Sequence, residues 1–480
     1  MGHGAGHAAV NATDPYALTG ELVRDPPRNF LGQLRYIGPG FILSASIVGS
    51  GELIATTLVG ARAGFVLMWF IIFSCIVKVA IQLEFGKHAI SSGESTMASL
   101  DSLPGPRLGQ AGWSVWVWLG LQLSKTMQVG GIVGGVVLAL AQLLPMLGSI
   151  SAAGAVDLSF AGKLSAFVVA ASVSLLVYRG YYRIIEKSSL VMIGLFTVLT
   201  FLSVIALQST ELAITAGEFL GGLVPRIPDS AVLLIAVGAF GIIGVGGDEI
   251  LAYNYWLIEK GYAAYTGPRD DSPGWAERAR GWIRVMYLDA ILSMLAYTLV
   301  TVLFYLLGAA VLNRLDLVPD GSALITTLGN MYTQSLGPWA RDVFVVGAIV
   351  VLYSTLFAAL AAWTRMFADA FGRVGIYDFA DERLRRRAIA ILAWVIPAVW
   401  ATLFLIMGNP ALMVILGGLV TVLILLIVVF AALVFRYRRL DARLRPTPAY
   451  DLWLWASSVS IVLIAAFVVY DQIYRPLTGT

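Results

Sequence analysis

Long apolar runs separated by short polar stretches recur along the whole chain. Taken together with Gly, Pro and charged positions, they give eleven candidate spans, several longer than the roughly 20 residues that a membrane-crossing helix needs. The spans are numbered 1 to 11 and lie near residues 36–63, 65–86, 112–145, 159–178, 186–208, 229–258, 283–312, 341–371, 387–407, 409–435 and 452–474. This pattern predicts an all-α polytopic membrane protein.

Composition narrows the class of protein further. The chain has 480 residues, of which 59% are hydrophobic and only 13% are charged, whereas a soluble domain is about half apolar and about a quarter charged. The polar surface is too small for a cytosolic enzyme, a nucleic-acid-binding protein or a disordered scaffold. The single cysteine, Cys75, excludes an internal disulfide. Two of the three histidines precede residue 10, which excludes a histidine-rich metal site within the membrane.

Basic residues are distributed unevenly between the two ends of the spans. With the N-terminus in the cytoplasm, 23 of the 32 Lys and Arg residues fall on the cytoplasmic side, six on the outer side and three within spans. Every loop then obeys the positive-inside rule. We therefore predict a multi-pass protein of the plasma or inner membrane with a cytoplasmic N-terminus. Because the number of spans is odd, the C-terminus is expected outside.

Two similar segments occur in the middle of spans 1 and 6. Residues 49–55 read Gly-Ser-Gly-Glu-Leu-Ile-Ala, and residues 246–252 read Gly-Gly-Asp-Glu-Ile-Leu-Ala. Spans separated by five cross the membrane in opposite directions, as an inverted-topology repeat requires. The predicted organisation is therefore a polar cytoplasmic arm (1–30), a first five-helix repeat (31–210), a second inverted repeat (211–436), and an eleventh transmembrane helix with the C-terminus (437–480).

Glycines and carboxylates together in mid-span predict broken helices. Each glycine costs a helix about 1 kcal/mol relative to alanine, and unwound backbone is tolerated in a membrane only inside protein or along a cavity. An ionisable side chain there is also costly unless it is paired or hydrated. We predict that Glu52, Asp248 and Glu249 begin the second halves of broken spans and face one hydrated site. The alternative is close helix packing, with the acids paired to Lys125 or Lys78.

Segments around these motifs resemble the Nramp family of divalent metal transporters. The similar segments are Gly-Pro-Gly-Phe at 38–41, Trp69 through Gln82 to Lys87, Ile132 to Leu140, Tyr178 through Glu186, and Val224-Pro225 followed by Gly238 and Gly241. The resemblance covers most of residues 30–435. It implies a LeuT-type fold, with two inverted five-helix repeats plus an eleventh helix, and transport by alternating access.

The departures from the family pattern fall on the binding site. The family's first-span Asp-Pro-Gly-Asn is matched by Gly-Ser-Gly-Glu at 49–52, so an acid stands at the Asn position. The sixth-span Met-Pro-His is matched by Val-Gly-Gly at 245–247. In span 3 the family's acidic positions fall on Gln128 and Gly131, with Lys125 one turn earlier. Span 10 lacks the family's glutamines and has glycines at 417–418.

These departures change which metal ions the site is expected to favour. Loss of the thioether removes a ligand that selects softer transition metals, whereas carboxylates and carbonyls suit Mg²⁺, Mn²⁺ or Ca²⁺. The leading hypothesis is therefore a secondary-active transporter of a divalent metal cation, with no cofactor and with Mg²⁺ or Mn²⁺ as the candidate cargo. The candidate substrate-binding residues are Gly49, Ser50, Gly51, Glu52, Val245, Gly246, Gly247, Asp248 and Glu249, and the candidate metal ligands among them are Glu52, Asp248 and Glu249.

Two other functions remain open at this point. Gly-Ser-Gly also resembles the broken first helix of amino-acid and organic-cation carriers that share the fold, where open N–H groups bind a carboxylate. A receptor or scaffold that has lost transport is the other alternative. The expected partners are the lipid bilayer and a small ion or small-molecule substrate, with no nucleic acid, and the sequence predicts no oligomeric state.

Four further polar residues within spans have candidate roles. Lys125 and Gln128 are one turn apart and can share a helix face. Lys125 is a candidate counter-charge for Glu52, in the place of a coupling ion. Lys78 and Gln82, also one turn apart, are expected to form a structural pair.

Overall fold

The computed structural model describes residues 15–16, 18, 20–179 and 182–475. In that part of the chain, nine helices are long and apolar enough to cross a membrane. The other two predicted spans are span 1, which a break divides, and span 5, whose described apolar part is Ile193–Leu207. Parts of the predicted arm (1–14, 17 and 19), of the motif at 178–186 (180–181) and of the C-terminus (476–480) lie outside the described residues.

The bounds of the spans agree with the predicted positions to within several residues at most ends. Spans 1 to 5 are Pro39–Ile47 with Ser50–Thr56 and Thr57–Ala63, Met68–Ser92, Trp113–Leu143, Phe160–Tyr178 and Tyr182–Leu207. Spans 6 to 11 are Ser230–Ile242 with Gly247–Lys260, Pro273–Leu307 with Gly308–Asn313, Ala340–Arg373, Glu382–Met407, Pro410–Val434 with Phe435–Arg439, and Pro448–Val469 with Tyr470–Tyr474.

Short elements connect the spans. The helical ones are Phe30–Leu34, Thr96–Asp101, Pro145–Leu147, Ala216–Gly222, Tyr262–Thr266, Gly321–Ala323, Leu324–Leu336 and Ala442–Leu444. Two antiparallel hairpins pair Arg107–Leu108 with Ala111–Gly112, and Gly148–Ile150 with Val156–Leu158. Strands are therefore confined to loops in the described chain, and the fold is all-α, as predicted.

Local capping explains where many spans begin. The side chains of Ser159, Asp229, Ser272, Asp381 and Asn409 accept hydrogen bonds from backbone N–H groups in the first turns of spans 4, 6, 7, 9 and 10. Such caps satisfy amides that have no partner within the helix. Proline stands at the first position of spans 7, 10 and 11, where its missing N–H costs nothing.

Two elements differ from the sequence prediction. Span 7 begins at Pro273 rather than near 283, because Ser272 caps a helix whose first turns are charged and lie before the apolar stretch. The helix Leu324–Leu336 between spans 7 and 8 was not predicted as a separate element. Its buried face includes Leu328, Met331 and Tyr332, and its length of 13 residues is too short for a span.

The central spans surround the breaks, and the outer ones shield them. Span 10 packs extensively on span 3 and on the first half of span 6, and span 8 packs on span 3. Among the nine long apolar helices, spans 4, 9 and 11 are the least buried, and large apolar side chains on their outer faces are exposed. This arrangement places the broken spans 1 and 6 in the interior of the bundle.

The N-terminal residues pack against one end of the bundle, which we call the arm face. The N–H of Arg24 donates to the carbonyl of Tyr265 at 3.0 Å, and the indole of Trp282 donates to the carbonyl of Arg24 at 3.0 Å. The hydroxyl of Tyr16 donates to Glu259 at 2.8 Å. These contacts connect the chain before span 1 to the ends of spans 6 and 7.

Candidate functional site

Span 1 is interrupted in its middle. Its first half, half-helix 1a, is Pro39–Ile47, and the chain then leaves helical geometry at Val48 and Gly49. It resumes as a π-helical turn, Ser50–Thr56, followed by Thr57–Ala63. We call residues 50–63 half-helix 1b. Glu52 lies in its first turn, as predicted, and π-helical turns are rare and frequent at functional sites.

Span 6 is interrupted at the equivalent position. Half-helix 6a, Ser230–Ile242, ends at Ile243, and half-helix 6b, Gly247–Lys260, begins after Gly246. Gly244 between them has φ of +63°, in the left-handed region that favours glycine. Asp248 and Glu249 occupy the first turn of 6b, where the positive end of the helix dipole favours carboxylates. The predicted helix breaks are therefore confirmed.

The two breaks lie against each other. A Cβ on Gly51 would come within 2.8 Å of the carbonyl oxygen of Ile242, so a side chain there would separate 1b from the end of 6a. The N–H of Gly244 points at the carboxylate of Glu52, with a separation of 3.4 Å. Glycine at these positions lets the two unwound segments meet in the interior of the bundle.

A cavity of about 40 Å³ lies beside the breaks. By the usual allowance of about 10–15 Å³ per molecule, it has room for roughly three waters. Its polar lining comes from both broken spans and from spans 3 and 8, while its aromatic lining comes from 6b and span 8. The polar and aromatic lining residues are Ser50, Gly51, Lys125, Gln128, Asp248, Glu249, Trp256, Thr355 and Trp363.

One carboxylate oxygen of Asp248 lies within hydrogen-bond distance of three donor groups. Its Oδ2 lies 2.8 Å from the ammonium of Lys125, and it accepts hydrogen bonds at 3.0 Å from the amide of Gln122 and at 3.0 Å from the indole of Trp363. The ion pair is buried, with exposed side-chain fractions of 3% for Lys125 and 7% for Asp248. The counter-charge predicted for Glu52 therefore belongs to Asp248, as the salt-bridge alternative for Lys125 anticipated.

Two acceptor oxygens on residues that line the cavity have no hydrogen-bond donor among the described residues. Asp248 Oδ1 and Gln128 Oε1 are buried side-chain oxygens without a hydrogen-bond partner in the described structure, and both residues line the cavity. Glu249, beside Asp248, also lines it. Buried polar atoms are normally hydrogen-bonded, so unpartnered acceptors around a small cavity mark a place for a cation or another donor.

Glu52 does not share this cavity. Its side chain is completely buried, and its Oε1 accepts a hydrogen bond from the hydroxyl of Thr301 in span 7 at 3.1 Å. The predicted convergence of Glu52 with Asp248 and Glu249 on one cavity is thus not seen. In the described chain, moreover, no group of three or more His, Cys, Asp or Glu side chains lies close enough together to hold a metal ion. The π-helical turn after the break sets the direction of Glu52, and sequence spacing alone does not define that direction.

Of the remaining predicted residues, some line the cavity and the others lie near it without lining it. Ser50 and Gly51 line the cavity through the start of 1b. Gly49 lies against Thr355 of span 8. The residues at 245–247, by contrast, are buried in the second break and are not among those that line the cavity.

Lys78 does not pair with Gln82. Its ammonium donates to the carbonyl oxygens of Phe240, at 2.5 Å, and of Ile243, at the end of half-helix 6a. Gln82 Oε1 has no hydrogen-bond partner in the described structure. The structural pair predicted from their spacing is wrong, because a lysine stem reaches a neighbouring span.

Sequence reasoning did not identify Gln122 and Trp363 as donors to Asp248. Gln122 precedes Lys125 by three residues, so the one-turn spacing that linked Lys125 to Gln128 could also have found it. Trp363 lies within an apolar stretch of span 8, and the sequence there does not distinguish a tryptophan that donates a hydrogen bond from one that only packs. Thr355 of the same span also lines the cavity.

The sequence of the chain is similar to those of known proteins. The sequence model described as natural resistance-associated macrophage protein-like, Nramp, matches residues 40–471. The chain belongs to the Nramp family. An uncharacterised protein of Pasteurella multocida is 25% identical over 349 residues, 68% of this chain and 69% of that one. The MntH divalent metal cation transporter of Burkholderia ambifaria is 23% identical over 367 residues, 75% and 72% of the two chains.

Solved structures agree on the fold. The Eremococcus coleocola manganese transporter has a TM-score of 0.64 at 14% identity, covering 96% of this chain and 91% of that one. MhsT, solved in complex with L-phenylalanine, has a TM-score of 0.52 at 18% identity, covering 93% and 99%. At these identities the likeness concerns the fold alone. This Nramp chain therefore has the predicted all-α LeuT-type fold and is a membrane transporter by family.

Proposed function

We propose that this protein is a secondary-active transporter of a divalent metal cation that works by alternating access. The cation occupies the cavity beside the two breaks. The observation that carries the proposal is the pair of unpartnered buried acceptors, Asp248 Oδ1 and Gln128 Oε1, on residues that line it. The names of the MntH relatives support the same class of cargo.

The donor set favours a hard cation. Asp248 and Glu249 offer carboxylate oxygens, Gln128 an amide oxygen, and the start of 1b backbone and hydroxyl oxygens. No methionine, cysteine or histidine is among the described residues that line the cavity, so a soft ligand is missing. The cavity also has room for the water ligands that Mg²⁺ commonly retains. Mg²⁺ and Mn²⁺ are therefore the proposed cargoes.

In this proposal, an incoming cation competes with the ammonium of Lys125 for Asp248. An incoming cation shares Asp248 with an ammonium that is already 2.8 Å from Oδ2. The tethered charge lowers affinity, and it returns to Asp248 when the cation leaves, so that the buried carboxylate is never unpaired. Transport requires release as much as capture, and we propose that Lys125 serves release.

Glu52 has a different role in this proposal from the one predicted. It is hydrogen-bonded to Thr301 and faces the N–H of Gly244, so it connects half-helix 1b to span 7 and to the break of span 6. We propose that it acts at this joint between the moving halves, and that Asp248 and Glu249 are the charged ligands.

Metal binding to the purified protein tests the proposal directly. Isothermal titration with Mg²⁺, Mn²⁺ and Ca²⁺ should give saturable binding for at least one of them, and Asp248→Asn should weaken that binding at least tenfold. Asp342→Asn, on the exposed first turn of span 8, is the matched control and should bind as the wild type does. Absence of saturable binding of all three ions at millimolar concentration would refute the proposal.

An organic zwitterion is a second candidate substrate, favoured by the opposed charges of Lys125 and Asp248. Its carboxylate could bind Lys125 while its ammonium binds Asp248, beside Trp256 and Trp363. The structural likeness to MhsT, solved with L-phenylalanine, is compatible with this. The cavity in the present conformation is too small for such a molecule. A thermal-shift panel of amino acids and polyamines separates the two candidates, and zero flux in proteoliposomes for every compound would instead favour a receptor or scaffold.

A further inference from the structure

The end of half-helix 6a carries, in the interior of the protein, backbone acceptors that have no partner within the helix. The last four carbonyls of any helix have no partner within it, and together they carry a partial negative charge. In 6a, Ile243 N–H satisfies the carbonyl of Ala239. The carbonyls of Phe240 and Ile243 instead point at a side chain from span 2.

That side chain is Lys78, which is completely buried. Its ammonium donates to both carbonyls and lies 4.7 Å from the centre of the Phe240 ring, in cation–π geometry. A buried ammonium is expensive unless electron-rich groups surround it, and here the two carbonyl oxygens and the face of the Phe240 ring provide them.

The same surroundings suit a free cation. Unwound carbonyls and the C-terminal ends of half-helices are groups that coordinate alkali cations in transporters with broken helices. Glu52 belongs to the same break, because its Oε1 lies 3.4 Å from the N–H of Gly244, the residue after Ile243. Without the ammonium, the two carbonyl oxygens at the end of 6a would be available to a monovalent cation.

We propose that the ammonium of Lys78 is a tethered cation that holds the break of span 6 together in place of a free alkali-metal ion. Because the charge is covalently attached, the protein needs no Na⁺ or K⁺ at this break. The inference concerns the break and not the cargo, so it does not depend on which substrate is transported.

Thermal unfolding of the purified full chain in detergent tests the inference. Lys78→Ala should lower the melting temperature by several degrees, and Na⁺, Li⁺ or a small alkylamine such as ethylamine should restore most of the loss by entering the vacated space. Lys78→Met should be destabilised to a similar extent but not restored, because its side chain fills that space. Lys163→Ala, on an exposed lysine of span 4, is the control and should respond as the wild type does.

The outcomes are decisive in both directions. A Lys78→Met variant as stable as the wild type would show that no charge is needed at the break. Failure of every cation and amine to restore Lys78→Ala would show that the place is not a cation site. Wild-type protein gives an independent measurement if the variants do not fold: its melting temperature should be equal in NaCl, KCl and choline chloride. A saturable increase with one alkali cation would overturn the inference.

Discussion

In the proposed function, the Lys125–Asp248 pair is the residue-scale feature that decides how the cavity binds a cation. Lys125→Met removes the competing ammonium, and the affinity for the transported divalent cation should rise roughly tenfold, or about 1.4 kcal/mol. Without cation, the variant should be less stable, because breaking a buried ion pair commonly costs about 3–5 kcal/mol. Titration calorimetry measures the first effect, and melting with and without the cation measures the second.

The opposite signs of these effects make the prediction specific. Lys163→Met, on an exposed position of span 4, should change neither affinity nor stability. If the substrate is instead a zwitterion that binds Lys125 through its carboxylate, the same Lys125→Met variant should lose binding. Unchanged or weakened binding of the divalent cation would therefore contradict the proposal that Lys125 competes with the cargo for Asp248.

The sequence predicted most of the residues at the candidate site, but it did not predict where each side chain points. Glycine beside acid in two spans identified both breaks, and Lys125, Gln128, Asp248 and Glu249 do line one cavity. Glu52 was assigned to the same cavity because it stands at the equivalent position in the repeat. The wider i→i+5 turn at Ser50–Thr56 rotates it towards Thr301, and the sequence carries no signal for that turn.

At the scale of helices, half-helix 1a is capped by a side chain from another span. Asp289 of span 7 accepts hydrogen bonds from the N–H groups of Gly38, at 2.8 Å, and Gly40, at 2.6 Å, and from the hydroxyl of Tyr253, at 3.1 Å. Gly38, the residue before the helix, has no side chain to cap it. The carboxylate thus fixes the start of 1a to span 7 and to half-helix 6b.

Asp289→Asn should destabilise the protein by about 1–2 kcal/mol, because an amide cannot accept both N–H groups as a carboxylate does. Thermal unfolding in detergent provides the measurement. Tyr253→Phe is the matched control: it removes one hydrogen bond to Asp289 but leaves both caps, so its loss should be smaller. Equal losses for the two variants would mean that capping of 1a is not what Asp289 contributes.

The elements that the sequence mispredicted were those without a long apolar stretch. Apolar length and end signals gave eleven spans, since bilayer thickness imposes a minimum length on each. The helix Leu324–Leu336 falls below that length, and the first turns of span 7 are charged. Both depend on packing and capping contacts with other parts of the chain. The domain boundaries and the side of each terminus remain predictions from charge and repeat spacing.

In the whole molecule, the N-terminal strap (residues 15–28, described except for 17 and 19) packs at the arm face on the region where 6b meets span 8. Glu259 of 6b forms an ion pair with Arg365 of span 8, with a closest separation of 2.6 Å, and Tyr16 donates to the same carboxylate. The Tyr16 ring also contacts Tyr255 of 6b. If the protein works by the proposed alternating access, an opening between 6b and span 8 breaks the ion pair of the carboxylate that the strap also contacts.

Loosening the strap should open the cavity from the arm face. Alternating access is a two-state equilibrium, so a contact made only in the closed state shifts the open population about tenfold for each 1.4 kcal/mol. We expect Tyr16→Ala to raise several-fold the rate at which an impermeant thiol reagent, applied to the arm face, labels Thr355→Cys in a Cys75→Ser background. Tyr178→Ala is the control and should leave the rate unchanged, because Tyr178 is 60% exposed on span 4.

Because basic residues predict the arm face to be cytoplasmic, the increase in labelling should appear in inside-out vesicles and not in right-side-out ones. Equal labelling of the two tyrosine variants would show that the strap packs on the arm face without restraining it.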